Sequence, residues 1–135
     1  MNTPEATIST RTIAKDGNIP PLPLVSVVIP FNNDLEYLNE ALRSCINNSY
    51  PNIEIIIIDD FSKSPLTAND LTIKRSGRPI TILRNSTNRG PGYSRNTGIR
   101  SAKGEFIAFL DADDIWLPGI LEKQIQVFLT VPGTQ

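Results

Sequence analysis

Three short, almost unbroken apolar runs constrain this chain more than any other feature: 24–29 (LVSVVI), 54–58 (EIIII) and 106–110 (FIAFL). A strand that is apolar on both faces has to be covered on both faces, which is the situation of a parallel sheet clad by helices. The segments between the runs carry helical spacing instead. Leu35, Leu38, Ala41, Leu42, Cys45 and Ile46 form one stripe, and Ile120, Leu121, Gln124, Ile125 and Phe128 form another. Pro79-Ile80-Thr81-Ile82-Leu83 reads as a further strand, Tyr93 to Ala102 as a helix, and Ala68 to Lys74 as a short one. Strand and helix thus alternate four times, the mark of an α/β domain. Pro30 is expected to stop the first strand, and Asn33 with Glu36 to form a capping box ahead of the first helix. Gly104 is expected to cap the helix before it, and Pro118 to sit in the first turn of the last helix. Residues 1–23, ending in Pro20-Pro21-Leu22-Pro23, read as a disordered leader with a stiff end, so the ordered domain is 24–135.

Right-handed crossovers place the carboxyl ends of all parallel strands on one edge, where such sheets bind ligands. Just past the runs stand Pro30-Phe31-Asn32-Asn33, Asp59-Asp60, Arg84-Asn85 and Asp111 to Asp114. Polar and acidic groups therefore gather on the ligand-binding edge.

Composition narrows the chemistry. The 135 residues contain no histidine, which removes imidazole acid–base catalysis and imidazole metal sites. A catalytic metal here would need oxygen ligands, which suit Mg²⁺ or Mn²⁺ rather than Zn²⁺ or Cu²⁺. With 13 basic and 14 acidic residues there is no positive field for a nucleic-acid backbone. Cys45 is the one cysteine and falls on an apolar helix face, so it reads as an inert core thiol. Pure apolar runs such as Ile55 to Ile58 are far too short to cross a bilayer, and the start of the chain lacks a secretion-signal pattern. A cytoplasmic location is expected.

Three constellations could carry chemistry. Asp111, Asp113 and Asp114 put three carboxylates into four residues directly after an apolar strand. Such charges repel unless solvated or sharing a cation. They read either as a divalent-metal site bridging to a diphosphate or as an acidic loop with Asp114 capping the next helix. Asp59-Asp60 reads either as an acceptor for a base imide or ribose hydroxyl, or as a turn bonded to its own backbone. The segment 88–98 (NRGPGYSRNTG) reads either as a phosphate-binding loop with Arg89 and Arg95, or as a plain glycine turn. Trp116, Leu117, Tyr37 and Tyr50 are assigned to packing.

Several pieces together resemble the family 2 glycosyltransferases, inverting enzymes with a Rossmann-like GT-A fold. They are Val25 to Pro30, Glu54 to Asp60, Asn88-Arg89-Gly90, Ser94 to Ile99, Ala102 to Ile107 and Phe109 to Trp116, in the family's order and spacing. The resemblance implies that Pro30, Phe31, Asn32 and Asn33 line the nucleotide base and that Asp60 hydrogen-bonds it, with UDP-sugar as donor. Arg89 or Arg95 would lie near the diphosphate. Asp111 and Asp113 match the family's DXD motif, which contacts ribose and metal, and Asp114 becomes the metal ligand under a one-residue change of register. Mn²⁺ or Mg²⁺ would assist the departing nucleoside diphosphate. The acceptor, whether glycan, lipid or protein, stays open, and peripheral membrane association of a full-length enzyme is compatible with the resemblance.

The chain departs from the pattern in three ways. Asn32 stands where the family commonly has an aromatic residue, and Phe61 where it commonly has glycine after the paired aspartates. The resemblance also covers only the front half of a typical domain, so the sheet is expected to be truncated after the DXD region. The acceptor half and the carboxylate that acts as base would then be missing. Two rival readings follow: a nucleotide-sugar-binding fragment without turnover, and, more remotely, a receiver-type signalling domain.

Overall fold

The computed structural model describes residues 22–73 and 77–130, with the side chain of Thr130 excepted. Four parallel strands form one sheet in the order β3-β2-β1-β4. β1 is Val25–Phe31, β2 Ile53–Asp59, β3 Ile80–Arg84 and β4 Phe106–Phe109. Three helices connect or flank them: α1 Leu35–Ile46, α2 Pro91–Ser101 and α3 Ile120–Thr130. β1 is central, pairing from Val25↔Ile53 to Phe31↔Asp59 on one side and from Val25↔Phe106 to Val28↔Phe109 on the other.

Strand periodicity divides the core between the two faces. Val25, Val27, Ile29 and Phe31 of β1 and Ile53, Ile55 and Ile57 of β2 meet Leu38, Leu42 and Cys45 of α1 and Leu121 and Ile125 of α3. Val28, Ile56 and Ile58 point the other way, into a smaller cluster with Leu83 and Ala102. Helix α2 covers that face through Gly98, where an added Cβ would lie 2.4 Å from Val28 Cγ1 and 3.0 Å from Ile58 Cδ1. Helices therefore do lie on both faces, and Ile55 to Ile58 are all fully buried. Truncating any one of these isoleucines to alanine would cost about 2–5 kcal/mol.

Two polar residues interrupt the apolar strands and answer each other. Ser26 Oγ donates to Glu54 Oε2 (2.5 Å), which also accepts from Lys103 N (2.7 Å), and Gly104 N donates to Ser26 Oγ (2.8 Å). Both side chains are buried, so this network satisfies groups that would otherwise destabilise the strands. Cys45 is fully buried as expected, and burial pushes its thiol up to about 12.

Several local expectations are corrected. Pro30 does not end β1, which runs on to Phe31. Asp60 N donates to Phe31 O, and Leu110 N donates to Val28 O. Alternation then aims the Pro30 nitrogen at the β4 side, beyond the last residue of that shorter strand, where no ladder bond is lost. Helix α1 is capped by Asp34, which accepts from Tyr37 N (3.3 Å), and not by Asn33, which has a positive φ of 67° and lies outside the helix. Helix α2 begins with Pro91 as its first residue, earlier than Tyr93, and ends at the extended cap Ala102. Gly104 is thus no helix cap. Its Cβ would meet Leu24 O and Ser26 N, both at 2.7 Å, so glycine there allows close approach to β1. Pro118 precedes α3, whose Leu121 N is capped across the fold by Asn48 Oδ1 (3.1 Å). The helix expected from Ala68 is a single 3-10 turn, Ala68–Asp70, and Lys74 lies outside the described residues. The third strand sits one residue later than expected, and β4 ends at Phe109, before Leu110. Almost all of the expected leader also lies outside the described residues. None of the described helices is long and apolar enough to cross a membrane.

Candidate functional site

In the order β3-β2-β1-β4 the chain winds outward from β1 to β2 and β3, then returns to place β4 on the other side. The gap beyond the carboxyl ends of β1 and β4 is the switch point where open α/β sheets bind ligands. A cleft of about 390 Å³ lies there, lined by Pro30, Asn32, Asp34, Tyr37, Pro91, Arg95, Asp111, Ala112 and Asp113. That volume falls within the range of small-ligand sites.

Carboxylate oxygens of Asp111, Asp113 and Asp114 all come within 4.8 Å of one another. The turn that gathers them is closed by a bond from Asp114 N to Asp111 O (2.9 Å). Arg95, from the first half of α2, donates from Nη2 to Asp111 Oδ1 at 2.9 Å. The guanidinium thus pairs with one of three clustered carboxylates, leaving an excess of negative charge that fits a hard divalent cation with oxygen ligands. A second hollow of about 610 Å³ opens on the far side of Asp111, between Arg95, Asp114 and the apolar Phe109, Ile115 and Trp116.

The paired aspartates at the end of β2 are both occupied by protein donors. Asp59 accepts from Ser62 N (3.0 Å), Leu66 N (3.0 Å) and Arg84 Nη1 (2.7 Å). Asp60 Oδ1 accepts from Asn85 Nδ2 (2.9 Å) and Arg89 N (2.7 Å), and its Oδ2 from Gly90 N (2.9 Å). Burial pushes each carboxyl upward, but these hydrogen bonds to the ionised form outweigh it and leave both below their ordinary value. Asp60 is only 6% exposed. Its carboxylate takes the anion position at the entrance to α2, so the amides of Arg89 and Gly90 are committed to it and do not cradle a phosphate.

The expected base-lining segment separates by strand alternation. Pro30 and Asn32 border the cleft. Phe31 is 4% exposed and belongs to the core under α1. Phe31 and Asn33 line a different hollow of about 590 Å³, with Leu35, Ser62, Lys63 and Leu66. Asn32 itself is held, donating from Nδ2 to Asp60 O (2.7 Å) and accepting at Oδ1 from Asn33 Nδ2 (2.9 Å). Asn33 is tied to the next loop by its N–H to Ser62 Oγ (2.8 Å) and by Lys63 N to its Oδ1 (2.8 Å). Of the two arginines, Arg95 joins the acidic cluster, whereas the Arg89 guanidinium stacks over Tyr93 at 4.4 Å.

Sequence reasoning missed Tyr37, assigned to packing, which is 52% exposed and borders the cleft. A signal was present, because Tyr37 falls off the Leu35, Leu38, Leu42 stripe. It placed Asn85 on the ligand edge without its role, in which the side-chain Nδ2 bridges Asp60 and the buried Ser94 Oγ (3.0 Å). Nothing local to Asn85 marks that role.

The sequence model described as Glycosyl transferase family 2 matches residues 26–132. The chain belongs to glycosyl transferase family 2. An otherwise uncharacterized glycosyltransferase of Haemophilus influenzae is 41% identical over 110 residues, which is 80% of this chain and 43% of that protein. Among solved structures, a mannosyltransferase from Pyrobaculum calidifontis in complex with GDP-Man and Mn²⁺ superposes with a TM-score of 0.70 at 25% identity, over 82% of this chain and 33% of its own. Residues 1-349 of TarS from S. aureus, in complex with UDP, superpose with a TM-score of 0.67 at 28% identity, over 78% of this chain and 31% of its own. This chain therefore spans less than half the length of each. As a family 2 glycosyltransferase chain, it has the expected parallel α/β architecture, and the receiver-type reading loses its ground.

Proposed function

We propose that this chain carries the donor-binding half of a glycosyl transfer, holding a nucleotide diphosphate sugar by its diphosphate against a divalent cation. The observation that carries this reading is the convergence of Asp111, Asp113 and Asp114 on the switch-point edge beside Arg95. Asp113 and Asp111 are the first choices as ligands for Mn²⁺ or Mg²⁺, with Asp114 within reach of the same point. Such a cation supplies Lewis-acid charge toward the departing nucleoside diphosphate. A cation on Asp111 would compete with the Arg95 guanidinium, leaving its fork of N–H donors for a phosphate oxygen. Pro30 and Asn32 would border the base. Asp60, with its carboxylate committed to Asn85, Arg89 and Gly90, would serve by holding the entrance of α2 in place.

UDP-sugar is the proposed donor, supported by the UDP complex of TarS, while the complex of the mannosyltransferase carries a guanine nucleotide. The proposed reaction is transfer of the sugar to an acceptor hydroxyl. Calorimetric titration with UDP, with and without Mn²⁺, tests the site on the native chain and on Asp113→Ala. Binding that requires Mn²⁺ and disappears in Asp113→Ala is expected. Equal UDP binding by both proteins would remove Asp113 from the site.

A further inference from the structure

The cleft contains one large aromatic side chain, and no partner holds it among the described residues. Tyr37 stands in the first turn of α1, 52% exposed; its backbone N–H donates to Asp34, while its side chain makes no hydrogen bond among the described residues. Among the described residues its ring stacks on no aromatic or cationic neighbour, unlike Phe61, which lies under Arg84 at 4.9 Å, and Tyr93, which lies under Arg89. It nonetheless borders the same cleft as Arg95, Asp111 and Asp113. The remaining apolar walls are Pro30, Pro91 and the methyl group of Ala112, none of which offers a π-face, and the side-chain amide of Asn32 is already bonded to Asp60 and Asn33. The cleft thus combines an acidic end suited to a cation-bound diphosphate with a single free π-face.

We infer that Tyr37 is the face on which the nucleobase of the bound nucleotide stacks. The inference rests on the donor-site reading above and adds the residue that recognises the base. Stacking between a base and an aromatic side chain tolerates different bases, because each has a π-face. Tyr37 would accordingly set affinity for the nucleoside part, while the cation and Arg95 govern the diphosphate. The contribution belongs to the ring and not to the hydroxyl, so phenylalanine should replace it.

Calorimetry at saturating Mn²⁺ with two probes, UDP and inorganic pyrophosphate, separates the possibilities. For Tyr37→Ala, UDP affinity should fall by about fivefold or more, with pyrophosphate affinity and melting temperature unchanged. Tyr37→Phe should keep native UDP affinity. Native UDP binding by Tyr37→Ala, an equal loss toward both probes, or a loss in Tyr37→Phe as large as in Tyr37→Ala would each overturn the stacking role. Failure of the native chain to bind either probe would instead bring down the donor-site reading, and this inference with it.

Discussion

Asp60 shows how far a residue's role can lie from what its neighbours in sequence suggest. Its carboxylate gathers Asn85, Arg89 N and Gly90 N, all 25 to 30 positions away along the chain. Asp60→Asn would turn an amide N–H toward one of those donors. The expected result is a loss of about 1–3 kcal/mol in stability, read as a lower urea midpoint at unchanged slope. UDP affinity should fall as well, since Arg95 rides on the helix that Asp60 anchors. An unchanged urea midpoint would show that the three hydrogen bonds contribute nothing net. The Asp111 to Asp114 cluster was legible from sequence because its members are adjacent, so their mutual repulsion is a local fact. Asp60 was legible as a strand-end carboxylate but not as an anchor, because its partners come from the loop that leads into α2. Tyr37 was misread for a different reason: its place off the apolar stripe was visible, but the cleft that gives the place meaning needs β4 and α2.

At the scale of elements, the sequence showed strands and helices clearly and their ends poorly. Runs such as Ile55 to Ile58 have few alternatives to a buried strand. Ends depend on pairing, and Pro30 continues β1 only because β4 is too short to ask for its N–H. Glycines show the same division. Gly104 looked like a helix cap, but its lack of a side chain serves contact with β1. Gly104→Ala would force a Cβ against backbone atoms Leu24 O and Ser26 N, and should destabilise the fold by about 1–3 kcal/mol. Gly92 in α2 has no atom within 4 Å of its would-be Cβ and no positive φ. Gly92→Ala should therefore be neutral or stabilising by up to about 1 kcal/mol. Denaturant unfolding of the two variants checks the contrast, and equal effects would contradict the close approach at Gly104.

For the molecule as a whole, overall charge is nearly balanced, yet the ligand edge is not neutral, with aspartates ending or following β1, β2 and β4. Asp59 and Asp60 are held below their ordinary carboxyl range, so each stabilises the fold fully above that range. The contribution is lost as pH falls through the folded values, which begins below about pH 4. Stability from urea titrations should be level between about pH 5 and 8 on this account and decline below about pH 4. Asp59→Asn should shallow the acid decline, and an unaltered slope in that variant would disprove the assignment. The order β3-β2-β1-β4 was legible only as far as a parallel sheet, because strand order depends on crossover paths that no residue spells out.

Asp60 joins both sides of the cleft. Its carbonyl receives Asn32, its amide reaches back to Phe31 O, and its carboxylate holds the start of α2. The wall that follows β1 and the wall that carries Arg95 consequently share one hinge pin. Any change at that pin alters the width of the mouth and the robustness of the scaffold together. Substitutions that retune what this cleft accepts without loosening the scaffold therefore belong at side chains that support nothing else, and Tyr37 on its open rim is such a position.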